Sequence, residues 1–360
     1  MKHKLFGVIL LVLSGALLVA AMNQSFINKI KQDRYYDHLT ANDKLSLYHR
    51  FFVRSDRWRD GDLYGLCYLP RYKHPLEPFK QYTRDRTTTS NRILYIIGDS
   101  FLADKTLSGA FDAFDNVFFL DRRFPLPTTA LDSTKQNYLM LEFAERNLND
   151  FTFSEADKQP WENKPQSVTT AVKPVTLPTR AINILFNKDL SRNVELLLFD
   201  DKIFTPIKEA KAWLNYTLFG RVANEVAVSS NKKRLFLNIS VDTSSAQSAF
   251  TNRTNKQVGE INHQLKKAGD YYKNIGFKSV FLAAIPNAVS IYDPNRGPYN
   301  HLLERVELGN ALPVISVYND YKASRNNLFY ISDAHWNPYG LDLWVNKVNK
   351  VMQHNLARQQ

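Results

Sequence analysis

Arg92-Ile-Leu-Tyr-Ile-Ile-Gly98-Asp99-Ser100-Phe101 is the stretch from which the fold of this chain can be read. From Ile93 to Ile97 it is apolar without alternation and is closed by Gly98, the pattern of a strand buried on both faces of a parallel sheet. Shorter runs of the same kind follow at Val117–Leu120, Tyr138–Phe143, Val194–Phe199, Leu235–Ile239, Val280–Ile285 and Val314–Val317. Helix-like stretches lie between several of them: Leu102–Phe114, Lys256–Ile275 with Val258, Ile261, Leu265 and Ala268 at helical spacing, and Tyr339–Met352. Strands alternating with helices predict an α/β fold in which helices cover both sides of a mostly parallel sheet.

Working outward, the polar run from Thr83 to Asn91 suits a connector into this domain, which is expected to span 91–360. Residues 29–90 read as an aromatic-rich, membrane-proximal lead-in. Residues 151–180 carry Pro160, Pro165, Pro174 and Pro178 among Ser, Thr and Lys, which predicts a long surface excursion. From Ala181 to Val241 strand character exceeds helix character, so the expectation is an inserted β-rich segment at about 151–241.

At the amino terminus Lys2, His3 and Lys4 precede an uncharged stretch from Leu5 to Met22, close to the length of roughly 20 residues that spans a bilayer as a helix. Residues 1–28 are therefore expected to be an export segment. The small residues Val19, Ala20 and Ala21 would suit cleavage, while the length of the apolar run favours a retained anchor. Nothing later is apolar enough to span, so the remainder is expected to form one portion outside the inner membrane, facing the periplasm or the cell exterior.

The chain has 360 residues, 44% of them hydrophobic, which provides a core and excludes a disordered, collagenous or mucin-like chain. Lys and Arg number 47 against 35 Asp and Glu, a net charge of +12. The basic residues are scattered and accompany no nucleic-acid-binding pattern, so nucleic acid is not an expected partner. Acidic glycans or anionic lipid headgroups suit an exported basic protein, and the surplus equally suits solubility alone. The single cysteine, Cys67, forms no internal disulfide, and no Cys/His pair stands at zinc-ligand spacing, so neither metal nor cofactor is expected.

In a parallel sheet ligands gather at the carboxyl ends of strands, and Ser100 falls just there. A serine in that place is a candidate nucleophile, and its backbone N–H, at the start of a following helix, a candidate oxyanion donor. Asp99 reads as a structural residue turned inward to hold the loop. Near the carboxyl terminus stands Tyr330-Ile-Ser-Asp333-Ala-His335-Trp336-Asn337-Pro338-Tyr339-Gly340. A neutral histidine takes a hydroxyl proton near neutral pH, which makes His335 the candidate base. Asp333 could accept the other imidazole N–H and fix its tautomer. Asn337 followed by Pro338 is a helix start, so Asp333 to Trp336 is expected to be a loop.

Gly98-Asp99-Ser100-Phe101 and Asp333-Ala334-His335-Trp336-Asn337 resemble the nucleophile block and the terminal Asp-x-His-Trp block of SGNH-type hydrolases, in particular the alginate O-acetyltransferase-like branch. Asn116 to Arg123 is similar to the second strand of that branch, Leu139 to Arg146 to its third strand, and Ile285-Pro286-Asn287 through Tyr299-Asn300 to a later block. The resemblance covers about 91–150 and 275–355. It implies a three-layer α/β/α fold and a Ser100–His335–Asp333 triad that passes an acetyl group to a polysaccharide hydroxyl. It also implies a membrane-bound O-acyltransferase partner as acetyl donor.

The chain departs from the pattern in lacking a clear Gly-x-Asn-Asp block. Arg146 is the substitute oxyanion or substrate-binding candidate, with an ion pair to Glu142 or Glu145 as the alternative. Trp336 could stack on a sugar or pack beneath the loop, and Asn337 is a further substrate-binding candidate. The Ser block precedes the Asp-x-His block, the order of ordinary SGNH hydrolases and a departure from the permuted order of the alginate acetyltransferases. The expected activity is O-acetyl transfer, with polysaccharide acetylesterase and a non-catalytic polysaccharide-binding or assembly protein as the alternatives.

Overall fold

A computed structural model describes residues 2–27, 60–83, 90–103, 105–161, 190–199 and 204–357. By its internal contacts the chain divides into two compact units, one of residues 1–75 and 167–222, the other of 76–166 and 223–360.

The second unit holds a five-stranded sheet, β1 (Arg92–Gly98), β2 (Asn116–Asp121), β3 (Gln136–Ala144), β6 (Phe277–Ile285) and β7 (Val314–Ser316), in the order β2-β1-β3-β6-β7. Every pairing in it is parallel. The apolar runs form the sheet as expected, because side chains that leave alternately from the two faces find cover on both. Leu94, Ile96, Met140, Phe281 and Ala283 join a cluster with Leu341, Trp344, Val348 and Met352 of the terminal helix Pro338–Ala357. Ile93, Ile97, Leu139, Leu141 and Leu282 join another with Val258, Ile261, Leu265 and Ala268 of the helix Asn255–Asn274. That helix starts in a capping box, Thr254 exchanging hydrogen bonds with Gln257. β2 is an edge strand, and its Phe118 lies half exposed, stacked on Tyr95 at 5.3 Å.

Two local expectations fail. The described residues of Leu102–Phe114 form turns, not a helix. Thr106, Ser108 and Gly109 interrupt it with weak helix formers, and the backbone pairs with another strand of chain: Tyr82 N–H donates to Thr106 O and Gly109 N–H to Tyr82 O. The β-rich insertion is also overturned. Val194–Phe199 lies in a helix, Leu190–Phe199, and a second helix, Thr205–Phe219, follows it. Among the described residues of the insertion only a short antiparallel pair, β4 (Val226–Val228) with β5 (Leu235–Leu237), adds strand. A brief apolar run carries no periodicity long enough to separate the two states. Most of the expected excursion, residues 162–180, lies outside the described residues, as does most of the expected lead-in, residues 29–59 and 84–89.

The first unit contains the helix Lys2–Met22, whose segment Lys4–Met22 is long and apolar enough to be a membrane anchor or a signal sequence and is almost wholly unburied. It also contains the short helix Asp62–Cys67 and the two helices of 190–219.

Candidate active site

The parallel register brings three loops to the same edge of the sheet. β1 ends at Gly98, β3 at Ala144 and β6 at Ile285, and the last two residues are paired across the ladder. Two positions beyond each end stand Ser100, Arg146 and Asn287.

The turn that carries Ser100 is fastened from inside by Asp99. Its carboxylate accepts from the N–H of Phe101 (3.0 Å), the N–H of Ala144 (3.0 Å) and the amide of Asn147 (2.6 Å), as the inward, structural reading requires. Phe101, Leu102 and Ala103 continue as turn, with the Leu102 and Ala103 N–H groups donating to Asp99 O. The expected helix start behind Ser100 is therefore absent. The Ser100 N–H makes no hydrogen bond to a described residue.

His335 comes from a loop closed on itself. Asn337 N–H donates to Leu328 O and Tyr330 N–H to His335 O, so residues 328–337 form a narrow hairpin-like loop. Leu235 N–H donates to Ile331 O, Tyr292 OH accepts from Leu328 N–H at 2.7 Å, and Arg234 donates to the Asn327 side chain while stacking on Tyr292. Within the loop, Asp333 Oδ1 lies 2.6 Å from His335 Nδ1 and accepts from the His335 N–H at 2.9 Å. His335 Nε2 lies 2.8 Å from Ser100 Oγ. Serine, histidine and aspartate thus form one continuous hydrogen-bonded chain, with Asp333 buried and His335 open to solvent on one side. No protein-family model, curated protein or solved structure matches this chain.

Two of the substrate-binding candidates are built into the frame of the loop. Of the two readings of Trp336 the structure shows the packing one: it is fully buried, donates its indole N–H to Phe101 O at 3.1 Å, and packs against Phe101 and Trp344. It ties the His335 loop to the Ser100 turn. Asn337 is buried, and both ends of its amide are engaged within the protein. Its Nδ2 donates to Asn327 O and its Oδ1 accepts the Gly340 N–H, capping the terminal helix.

Arg146 pairs with neither glutamate beside it. Glu142 accepts the Asp99 N–H, and Glu145 accepts from Asn287 N–H, Ser290 Oγ and Tyr299 OH. The guanidinium instead lies 5.5 Å from the centre of the Phe101 ring, and Arg146 lines a shallow, open hollow with Phe236, Ser240, Asn287 and Asp333. Asn287 escaped the reading of the sequence as a site residue. It is 4% exposed, and neither end of its amide has a partner among the described residues. Its place two residues past the end of a buried strand, like that of Ser100, was the available signal.

Burial pushes the Glu142 carboxyl well above the usual carboxylate range, and the charge of Asp99 adds to it. Burial raises Glu145 as well, against the pull of its three donors. Burial also holds Arg122, whose guanidinium sits 4.1 Å from the Phe143 ring centre, below its ordinary value.

Proposed function

We propose that this protein is an extracytoplasmic serine O-acetyltransferase that modifies a cell-envelope or exported polysaccharide through an acyl-serine intermediate. The observation that carries this reading is the unbroken hydrogen-bonded chain from Asp333 through His335 to Ser100 at the carboxyl edge of a parallel sheet. The resemblance of the two sequence blocks to SGNH-type hydrolases supports it, and so do the helices that pack on each sheet face, the layering of that class.

In this reading Ser100 Oγ attacks the carbonyl carbon of an acetyl ester while His335 Nε2 takes its proton. Asp333 holds the imidazole in the tautomer that accepts at Nε2 and stabilises the imidazolium. The tetrahedral oxyanion receives the Ser100 N–H, with Arg146 and the Asn287 amide as further donors on the same edge. Collapse expels the donor alcohol, which takes the proton back from His335. A sugar hydroxyl then repeats the sequence in reverse and leaves as the acetyl ester. Water in place of the sugar would make the same protein an acetylesterase.

The N-terminal helix as an inner-membrane anchor would hold this chemistry on the periplasmic or outer side. Acetyl-CoA is cytoplasmic, so a membrane-bound O-acyltransferase is the fitting acetyl donor.

The test is direct. The detergent-solubilised full chain is treated with p-nitrophenyl acetate and its intact mass recorded, beside Ser100→Ala and His335→Ala. One acetyl on the wild type and none on Ser100→Ala supports the reading, and added oligosaccharides then separate transfer from hydrolysis. Folded wild type that neither acylates nor turns over overturns it in favour of a binding or assembly protein.

A further inference from the structure

The helix Thr205–Phe219 is built inside out for a water-facing helix. Its inward face is the polar one. Glu209 accepts from Tyr64 OH and pairs with Lys73 at 2.9 Å, and Lys208 Nζ lies 4.7 Å from the centre of the Tyr68 ring. Ala212, Asn215 and Tyr216 share that half-buried side. Its outward face is apolar. At about 100° per residue, Ile207, Leu214 and Leu218 fall within one narrow arc, which Ala210 and Trp213 widen. Ile207 is 63% exposed, Trp213 52%, Leu214 46% and Leu218 66%. An exposed apolar arc of this kind on a helix whose other side is already packed marks a surface with an occupant.

The occupant is indicated by what precedes the helix in the chain. The preceding helix, Leu190–Phe199, packs on the apolar N-terminal helix, and the buried Asn193 donates its amide to Ala21 O at 3.0 Å. Ala21 is one residue from the end of the segment long enough to cross a bilayer. If that segment spans, its end lies at the boundary between hydrocarbon and headgroups, and the contact at Ala21 sets Leu190–Phe199 at the same level. Exposed Lys211 adjoins the apolar arc, and Arg221 follows Phe219 with its guanidinium 5.8 Å from that ring. Apolar side chains with a tryptophan, bordered by cations, are the composition of a helix lying in the plane of a membrane surface.

We propose that Thr205–Phe219 is an interfacial helix that lays Ile207, Trp213, Leu214 and Leu218 into the headgroup boundary of the bilayer crossed by the N-terminal helix. The unit of residues 1–75 and 167–222 is then held to the lipid at two places. This goes beyond the catalytic proposal and does not depend on it.

The test uses the full chain, its N-terminal helix verified by intact mass, in vesicles of phosphatidylethanolamine and phosphatidylglycerol. Ile207→Cys, Leu214→Cys and Leu218→Cys are labelled singly with a nitroxide, and Leu308→Cys, at an 89% exposed position of the sheet-bearing unit, serves as the aqueous control. The native Cys67 is buried, and burial pushes its thiol up to about 11, so it stays unlabelled at neutral pH. The expected result is a preference for collision with oxygen over an aqueous nickel chelate at all three helix sites, at a depth of about 5–10 Å, with the reverse at Leu308. Helix sites as open to nickel as Leu308 would overturn the proposal. So would sites shielded from both reagents, which would mean that protein covers the face.

Discussion

His335 Nε2 and Ser100 Oγ stand 2.8 Å apart across 235 positions of sequence. The two loops that meet there are joined a second time by the Trp336 indole, which donates to the carbonyl of Phe101, the residue after the serine. The hydrogen-bonded side chains and the groups that support them are thus neighbours in sequence on both sides. The geometry is set by one buried aromatic anchor and by Asp99 beneath the turn.

Asp333 serves His335 twice through one oxygen, at the ring Nδ1 and at the backbone N–H. Asp333→Asn keeps the size but loses the charge and offers the imidazole an amide. On the proposed mechanism the expected cost in the acylation rate is about 10^4-fold, the size of the same change in serine-protease triads. The burst of p-nitrophenolate measures it, with far-ultraviolet circular dichroism unchanged. An acylation rate within tenfold of wild type would mean that the aspartate is not the orienting residue.

Gly98 is fixed by crowding rather than by its backbone angles. A Cβ there would stand 2.5 Å from Glu142 Oε2 and 2.9 Å from a ring carbon of Phe119. Glu142 Oε2 also receives the Asp99 N–H, so it cannot yield without loosening the turn that carries Ser100. Gly98→Ala is expected to lower stability by about 1–3 kcal/mol and to slow acylation with it. Gly259→Ala, on an exposed helix face where a Cβ meets nothing, is the control, and urea unfolding of both compares them.

Legibility followed physical cause. β1, β3 and β6 could be read because strands buried on both faces show apolar runs in place of alternation, and the Asn255–Asn274 helix because its buried residues recur at helical spacing. Ser100, His335 and Asp333 could be read because strand ends and helix starts locate loops. Val194–Phe199 was opaque, since a run that brief fits a strand or a helix, and Leu102–Phe114 was decided by pairing with Tyr82, a contact no local pattern carries. Residue type did not separate the roles of Trp336, Asn337 and Asn287: only the hydrogen bonds show that the first two side chains are engaged in the frame while the amide of Asn287 is not.

Trp336 tests frame against sugar platform. Trp336→Phe retains most of the packing and loses the bond to Phe101 O, so the expected effect is a modest loss of stability and a slower acylation, with KM for an oligosaccharide acceptor unchanged. Trp336→Ala is expected to cost about 3–5 kcal/mol, as for other large buried side chains. An unaltered fold with a raised acceptor KM in either variant would restore the sugar-stacking role.

Glu307 gives stability a pH dependence of definite sign. It lies on the helix Leu302–Gly309, where burial raises its carboxyl from 4.5 to about 7, with Glu145 and Glu304 adding to the rise and the Ser316 bond and Lys347 opposing it. A folded pKa above the unfolded one means that the native state holds the proton more tightly. Its favourable contribution is therefore complete below about pH 4.5 and is lost as pH rises to about 7. At about 1.4 kcal/mol per unit, the loss across that window amounts to as much as about 3 kcal/mol. Glu142 and Glu145, also raised, push stability the same way, so wild type alone would not isolate Glu307. Glu307→Gln removes only its share. Denaturant unfolding read from the buried Trp336 and Trp344 should show wild type losing stability faster than the variant between pH 5 and 7, the two curves converging at the acid end. Parallel curves would mean that Glu307 is already ionised throughout the window.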